Sequence, residues 1–384
     1  MTVRATKRGP ARTRLARDCD VLICGASFAG LAVARELAGS GARVLLLDRY
    51  ELGERQTSAC AMPTVWLKAL ELMGSSRQSF DELVVHTPFR TSRWPLPWSF
   101  STFDYRELCA LLSQQSDPAE VEFETATITA RQGSTVHTDR GELHAPLIVD
   151  ALGWRRVLGN SMTIQPPNAP LSRGLEVHPD GSAEEMQLWI DPGYIRAGYC
   201  WSFPAGDELR VGVGSFWPSH HVKEPTVRLA HELGLPAQRY QGNWIPHKLR
   251  QAVEDEVFFV GDSAGHCLPL TAEGIRTALY FGLACGRELR AVLDGRRTRA
   301  DALRRYGAFS DAHARKYRWL LGAQRAVGRT PSRSVTAIIR TLESGRIASW
   351  IFNHYLAIAP PSFVGSHRRS SPAPAKRLAG ATAS

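Results

Sequence analysis

Gly25-Ala26-Ser27-Phe28-Ala29-Gly30 combines two glycines with a serine hydroxyl, and Asp48 follows at the interval expected of a dinucleotide site. Gly25 permits a tight turn and Gly30 permits close packing of the following helix. Free N–H groups at that helix start can face a pyrophosphate, with Phe28 and Ala29 in its first turn. Asp48 can accept hydrogen bonds from a ribose. Ser27 replaces the central glycine of the usual G-x-G-x-x-G, and its hydroxyl can donate to a phosphate oxygen. Far downstream, Asp262 is followed by Glu273, Gly274 and Ile275. A carboxylate beside a helix start suits a long polar cofactor: the acid bonds hydroxyls and the helix dipole stabilises negative charge. Asp262 reads equally as a helix cap, and Glu273 reads best as a surface acid compensating the dipole. A third cluster, Tyr199-Cys200-Trp201-Ser202-Phe203-Pro204, puts three rings on one face of a strand, as an apolar wall or as ordinary core. Cys60 is either a small buried hydrophobe or a reactive thiol.

The elements that must position these residues are legible around them. Asp20 to Cys24 reads as a buried strand, the segment after Phe28 as a helix, and Arg43 to Leu47 as a second strand ending on Asp48. Val257 to Val260 is another buried strand, with Asp262 at its end and a helix from Gly274 that turns Ile275, Ala278, Leu279 and Leu283 inward. Gly212 and Gly214 are strand glycines, because no helix follows them before Pro218.

In that order the segments resemble the FAD-dependent oxidoreductases of the para-hydroxybenzoate hydroxylase fold. The matching pieces are "GASFAG" with Asp48, "IVDALG" at 148–153, and "GDSAGHCLPLTAEGI", in which Ala272 stands where the family usually has glycine. The resemblance implies bound FAD, with Asp262 on the ribityl chain and Gly274 and Ile275 near the isoalloxazine edge. "FDYREL" is similar to the place where an arginine reaches the FAD, which would make Arg106 a ligand; an exposed helix arginine is the other reading. Within the fold, Y-x-W-x-F-P resembles the signature of the geranylgeranyl reductase family. That resemblance implies a substrate wall of Tyr199, Trp201 and Phe203 facing the flavin, and a functional Cys60 beside it that controls flavin access or a proton. The family context there is commonly K-P-C-G, whereas Ala59 and Ala61 flank Cys60.

The implied fold class is α/β: a Rossmann-type FAD-binding domain from residues 18–88, 102–158 and 251–298, an antiparallel-sheet substrate domain from 89–101 and 159–250, and a helical region over 299–365. Residues 1–17 and 366–384 read as disordered basic tails. They hold ten basic residues and no acid, so the formal charge of +10 leaves a neutral body, which argues against nucleic acid. The apolar stripe from Ile338 to Leu356 is expected to pack on the FAD domain, or to act as a lid toward an isoprenoid or a membrane surface. Seven cysteines without paired spacing, no secretory h-region and no spanning apolar run point to a reducing cytoplasm, with peripheral contact at the inner face of a membrane left open.

The expected activity is FAD-dependent reduction of carbon–carbon double bonds in a hydrophobic, prenyl-type small molecule. A monooxygenase or halogenase of the same fold is the alternative, although Tyr199 and Phe203 depart from the halogenase pattern W-x-W-x-I-P. A flavin- or prenyl-lipid-binding protein without turnover is a third reading. The electron donor stays open between NAD(P)H, ferredoxin and reduced flavin, which includes a partner reductase.

Overall fold

A computed structural model describes residues 13–15, 18–56, 58–116, 119–160 and 169–365. Strand Val21–Cys24 is buried at every position, as its unbroken apolar run predicts for a strand covered on both faces. It pairs in parallel with Val44–Asp48 on one side and Leu147–Asp150 on the other. The six-stranded sheet continues to Val121–Thr125 at one edge, and to Val257–Phe259 and Val253–Glu254 at the other.

Helices Phe28–Leu37 and Ile275–Leu293 cross in direct backbone contact, and small residues make this possible. A Cβ on Gly282 would lie 2.6 Å from the carbonyl oxygen of Ala29 and 2.8 Å from Cβ of Ala32, and one on Gly286 would lie 2.9 Å from the oxygen of Val33. Asp150 clips the middle segment to the downstream one. Its buried carboxylate accepts from Leu152 N–H (2.9 Å), Leu158 N–H (2.8 Å) and Ser263 Oγ (2.6 Å).

The second layer is an eight-stranded sheet in the order Gln241–Pro246, Leu171–Val177, Leu209–Ser215, Gly198–Pro204, Met186–Trp189, Ser76–Thr87, Arg90–Phe103 and Ala61–Pro63. It departs from expectation in two ways. Met186–Trp189 runs parallel to Ser76–Thr87, so the sheet is mixed rather than antiparallel throughout. Ser76–Thr87 and Ala61–Pro63, assigned from sequence to the cofactor-binding part, pair instead with Arg90–Phe103 in this sheet.

Two other expectations change. Leu15 is buried, its N–H bonds the carbonyl of Arg140 at 2.7 Å, and Arg140 Nε bonds the carbonyl of Thr13; residues 13–15 are therefore anchored, not part of a disordered tail. The other residues of that tail, and all of 366–384, lie outside the described residues. The stripe that was to pack on the FAD domain forms helices Ser332–Thr341 and Gly345–Leu356, which pack chiefly on Ser76–Thr87 and Arg90–Phe103 of the second sheet. Trp94 Nε1 donates to the carbonyl of Ile339 (3.0 Å), and Phe352 meets the rings of Trp94 and Trp98. Among the described residues no helix is long and apolar enough to cross a membrane.

Because the two helices touch at backbone distance, Gly282→Val should force them apart, costing about 2–3 kcal/mol. A lowered Tm in thermal unfolding checks this; an unchanged Tm would show that the crossing tolerates a side chain.

Candidate active site

A cavity of about 1710 Å³ separates the two sheets, and residues from both cofactor-type segments and from the aromatic strand line it. The first segment arrives on the end of Val21–Cys24. Gly25 turns at φ 110, and a Cβ there would lie 2.3 Å from the carbonyl oxygen of Ala151; a Cβ on Gly30 would lie 1.8 Å from the oxygen of Gly25. Ala26, Ser27, Phe28 and Ala29 therefore reach the cavity while Gly25 and Gly30 form the support behind them. Ser27 is extended (φ −104, ψ −161), a conformation that needs no glycine. Its Oγ accepts from Tyr105 Oη at 3.1 Å, which leaves its own proton to donate into the cavity. Asp48 accepts from the N–H of Ala26 (2.8 Å) and of Tyr50 (3.0 Å); burial pushes its carboxyl up while these bonds oppose the shift.

The downstream segment meets the first at close range: a Cβ on Gly261 would lie 3.0 Å from Cβ of Ala29. Asp262 is no helix cap, since Val260 occupies that position. Its carboxylate takes no hydrogen bond from the described residues, and burial raises it to about 6 against the opposing pull of Arg250. A carboxylate without donors of its own, at a cavity wall, can accept hydrogen bonds from a ligand's hydroxyls. Gly274 caps the Ile275 helix, and both residues line the cavity. Ala272 takes φ 50, so the alanine in the glycine position of the motif adopts the left-handed conformation that glycine takes without strain. Glu273 is not a surface acid. It is buried in a two-pronged pair with Arg276 (2.7 and 2.7 Å) and accepts from Tyr355 Oη, while Arg276 Nη1 bonds the carbonyl of Ala359 at 2.8 Å.

Opposite these segments, Tyr199, Trp201 and Phe203 share the cavity face of Gly198–Pro204, and Cys200 and Ser202 point away into buried positions. Trp201 explains the glycines of the neighbouring strand. Its indole lies over Gly212, where a Cβ would sit 2.3 Å from Cζ2, and extends toward Gly214 (3.4 Å) and Gly174 (3.6 Å). The ring lies on a bare patch of sheet. Tyr199 Oη donates to the carbonyl of Thr271 at 2.6 Å, tying the wall to the loop before Gly274.

Residues 18–127 match the family described as FAD binding domain. Digeranylgeranylglycerophospholipid reductase 3 of Methanosphaera stadtmanae is 23% identical over 78% of this chain and 84% of its own length. The crystal structure of a geranylgeranyl bacteriochlorophyll reductase-like protein of Thermoplasma acidophilum superposes with a TM-score of 0.78 at 15% identity, covering 91% of this chain and 98% of that one. Halogenase PltM superposes at 0.67 with 13% identity, covering 90% and 82%. The chain is an FAD-dependent oxidoreductase, similar to the geranylgeranyl reductases in sequence and fold. The residues present fit FAD on their own chemistry: a glycine-supported helix start, an acid at the end of the second strand, and a donor-free carboxylate at the second helix start.

Other residues of this flavoenzyme sit differently from expectation. Arg106 is exposed on helix Tyr105–Gln114 and lies outside the cavity lining; its neighbour Tyr105 lines the cavity instead. The helical period turns 105 inward and 106 outward, a distinction the motif alone does not make. Cys60 is fully buried at the cavity wall with φ 51. Burial pushes its thiol well above the ordinary range, with Arg210 opposing, so it stays protonated. Sequence reading missed Glu176, the lone acid of strand Leu171–Val177, and Trp319, which line the cavity; Trp350, Phe352 and Tyr355, within the stripe read as packing or as a lid, line it too.

The raised carboxyl of Asp262 makes a signed prediction. Its native value exceeds its unfolded value, so stability falls as pH rises through the window from about 4 to about 6 and stays lowered above it. Flavin-free Asp262→Asn should melt higher than wild type at about pH 8 and lose that advantage by about pH 4, while binding FAD about 10-fold more weakly. Calorimetry across pH and a flavin titration check both.

Proposed function

We propose that this flavoenzyme reduces carbon–carbon double bonds of a prenyl chain held beneath Tyr199, Trp201 and Phe203. The observation that carries this reading is the cavity, whose volume of about 1710 Å³ exceeds the roughly 300–1,000 Å³ of a single small-ligand site, with cofactor-type residues on one wall and aromatic rings on the other. The names of its sequence relatives support the same substrate class. Bound and reduced, FAD would supply the hydride, and a nearby acid or water the proton that completes the addition of two hydrogens.

The protein's task is placement, because an isolated alkene polarises poorly and gains most from being held close and in line. Asp48 would hold the adenosine ribose, the helix start at Ser27, Phe28 and Ala29 the pyrophosphate, Asp262 the ribityl hydroxyls, and Gly274 and Ile275 the ring edge. Tyr199 keeps its proton at Oη, since burial first and then Cys267 and Glu273 push its phenol up. Cys60 serves as an uncharged part of the floor rather than a thiolate.

Protein reduced with dithionite under anaerobic conditions and mixed with a geranylgeranyl glycerophospholipid should return a product heavier by two hydrogens per double bond, read by mass spectrometry. Trp201→Ala should lower kcat/KM about 100-fold. Hydrogen peroxide or hydroxylated product, with no anaerobic reduction, would replace this reading with a monooxygenase.

The cavity mouth supports a finer statement about how such a substrate arrives. Trp319 and Trp350 line the mouth with 73% and 63% of their surfaces still exposed, and Ile351 beside them is 37% exposed. Arg315 and Lys316 stand at the same rim, Arg318 and Arg346 are exposed on the same helices, and the nearby acid Glu343 is paired with Arg90. Amphipathic rings with basic side chains suit an anionic bilayer surface. Binding to phosphatidylglycerol vesicles should fall at high salt, and Trp319→Ala with Trp350→Ala should weaken it roughly 10-fold. Vesicle sedimentation reads both; binding indifferent to the double substitution would place the contact elsewhere.

A further inference from the structure

Beside the aromatic wall, on the same face of the sheet, lies a continuous run of buried charge: Glu176 and Trp201 both flank Gly212, and Arg210 pairs across the strands with Phe203. Trp201 Nε1 donates to Glu176 Oε2 at 3.1 Å. The other oxygen of Glu176 meets His178 Nε2 at 2.9 Å, and His178 Nδ1 lies 3.2 Å from Glu208 Oε1. The same oxygen of Glu208 accepts from Arg210 Nε at 2.9 Å. Arg210 Nη1 then spans three carbonyls, those of Ala59 (2.8 Å), Phe103 (3.0 Å) and Cys60 (3.3 Å). Glu176, His178 and Arg210 are all at most 3% exposed.

Two features show that this is more than an incidental ion pair. Both ring nitrogens of His178 face carboxylate oxygens, and a neutral imidazole carries only one N–H, so the geometry calls for the imidazolium. Two acids and two cations then balance in a site where an uncompensated charge would be costly. The ends of the run also differ in kind. One end fixes a ring of the cavity roof, the indole already lying flat on Gly212. The other fixes the peptide of Cys60, held at φ 51 in the cavity floor.

We propose that Glu176, His178, Glu208 and Arg210 form a strut that sets the position of the Trp201 indole relative to the Cys60 peptide, and so the width of chain the cavity admits. His178 and Glu208 touch neither cavity nor cofactor-type residues and are positioning residues. The statement about chain width rests on the function proposed above; the mechanical coupling does not. His178 is held at about 9, burial pulling it down but both carboxylates raising it further, and Glu208 is held at about 2 by His178 and Arg210 against the effect of burial. The remaining charged groups near His178 are Arg239, which bonds its carbonyl, and Asp180, which pairs with Arg239; Gln241 is the polar neighbour at 3.4 Å.

The test uses FAD-loaded protein labelled with ¹⁵N in tryptophan, with the Trp201 indole resonance assigned by its loss in Trp201→Phe. In the wild type this resonance should move in one step with a midpoint near 9, as His178 loses its proton. His178→Gln and Glu208→Gln should abolish the step and shift the resonance at neutral pH, while FAD stays bound. His178→Lys, which restores a cation between the two acids, should return the neutral-pH position toward that of the wild type. With a geranylgeranyl substrate, both glutamine variants should raise KM about 10-fold with kcat nearly unchanged. An indole resonance that titrates identically in His178→Gln would overturn the strut. Should that variant fail to fold, Glu208→Gln carries the test at a side chain that is 29% exposed. Because the resonance is read without substrate, failure of the strut and failure of the prenyl-reductase reading appear in separate measurements.

Discussion

Everything in the site depends on two helices touching where most helices are held apart by side chains. Gly282 and Gly286 bring the Ile275 helix against Ala29, Ala32 and Val33 of the Phe28 helix at backbone distance, and Gly261 approaches Ala29 in the same way. This contact brings together two helix starts separated by most of the chain, each following a buried parallel strand. A helix start offers unpaired N–H groups and the positive end of a dipole. Two of them, each with a carboxylate beside it in Asp48 and Asp262, make a long polar trough that suits one extended dinucleotide. Asp150, bonded to Ser263 and to Leu152 and Leu158, keeps the third segment in register with the other two.

The second sheet is built on the opposite principle, by removing side chains instead of adding them. Gly174, Gly212 and Gly214 leave a bare area on the sheet, and the indole of Trp201 fills it. A large ring can then lie flat rather than project into the cavity, which keeps the space long and open. Gly212 and Gly214, read from sequence simply as strand glycines, are together with Gly174 the negative image of that tryptophan. Buried charges take over where glycine leaves no contact to hold the ring, through Glu176 and the groups behind it.

The C-terminal helices close the remaining side. Tyr355, Glu273 and Arg276 link the end of the Gly345 helix to the loop before the Ile275 helix, and Arg276 is fully buried in that link. The wall over the cavity is therefore fastened to the cofactor-type segment itself. A buried pair of this kind is costly to break once formed, because either partner alone would be left as an uncompensated charge.

Local pattern was enough to locate the two strand–turn–helix units, Asp48 and Asp262 at their ends, and the three rings that share one strand face. These follow from periodicity and from glycine at turns, which are properties of a few consecutive residues. The sequence also carried the family resemblance, since its motifs occur in a fixed order. Which side of a helix faces the cavity was settled only in three dimensions: Tyr105 lines it and Arg106 is exposed. Glu273 could be read as a surface acid because its partners Arg276 and Tyr355 lie on different elements, one of them far along the chain. Likewise Ser76–Thr87 joined the second sheet because strand pairing depends on which edge is free, not on the composition of the strand. Contacts between distant segments decide burial, and burial decides whether a charged or aromatic residue is surface, core or site.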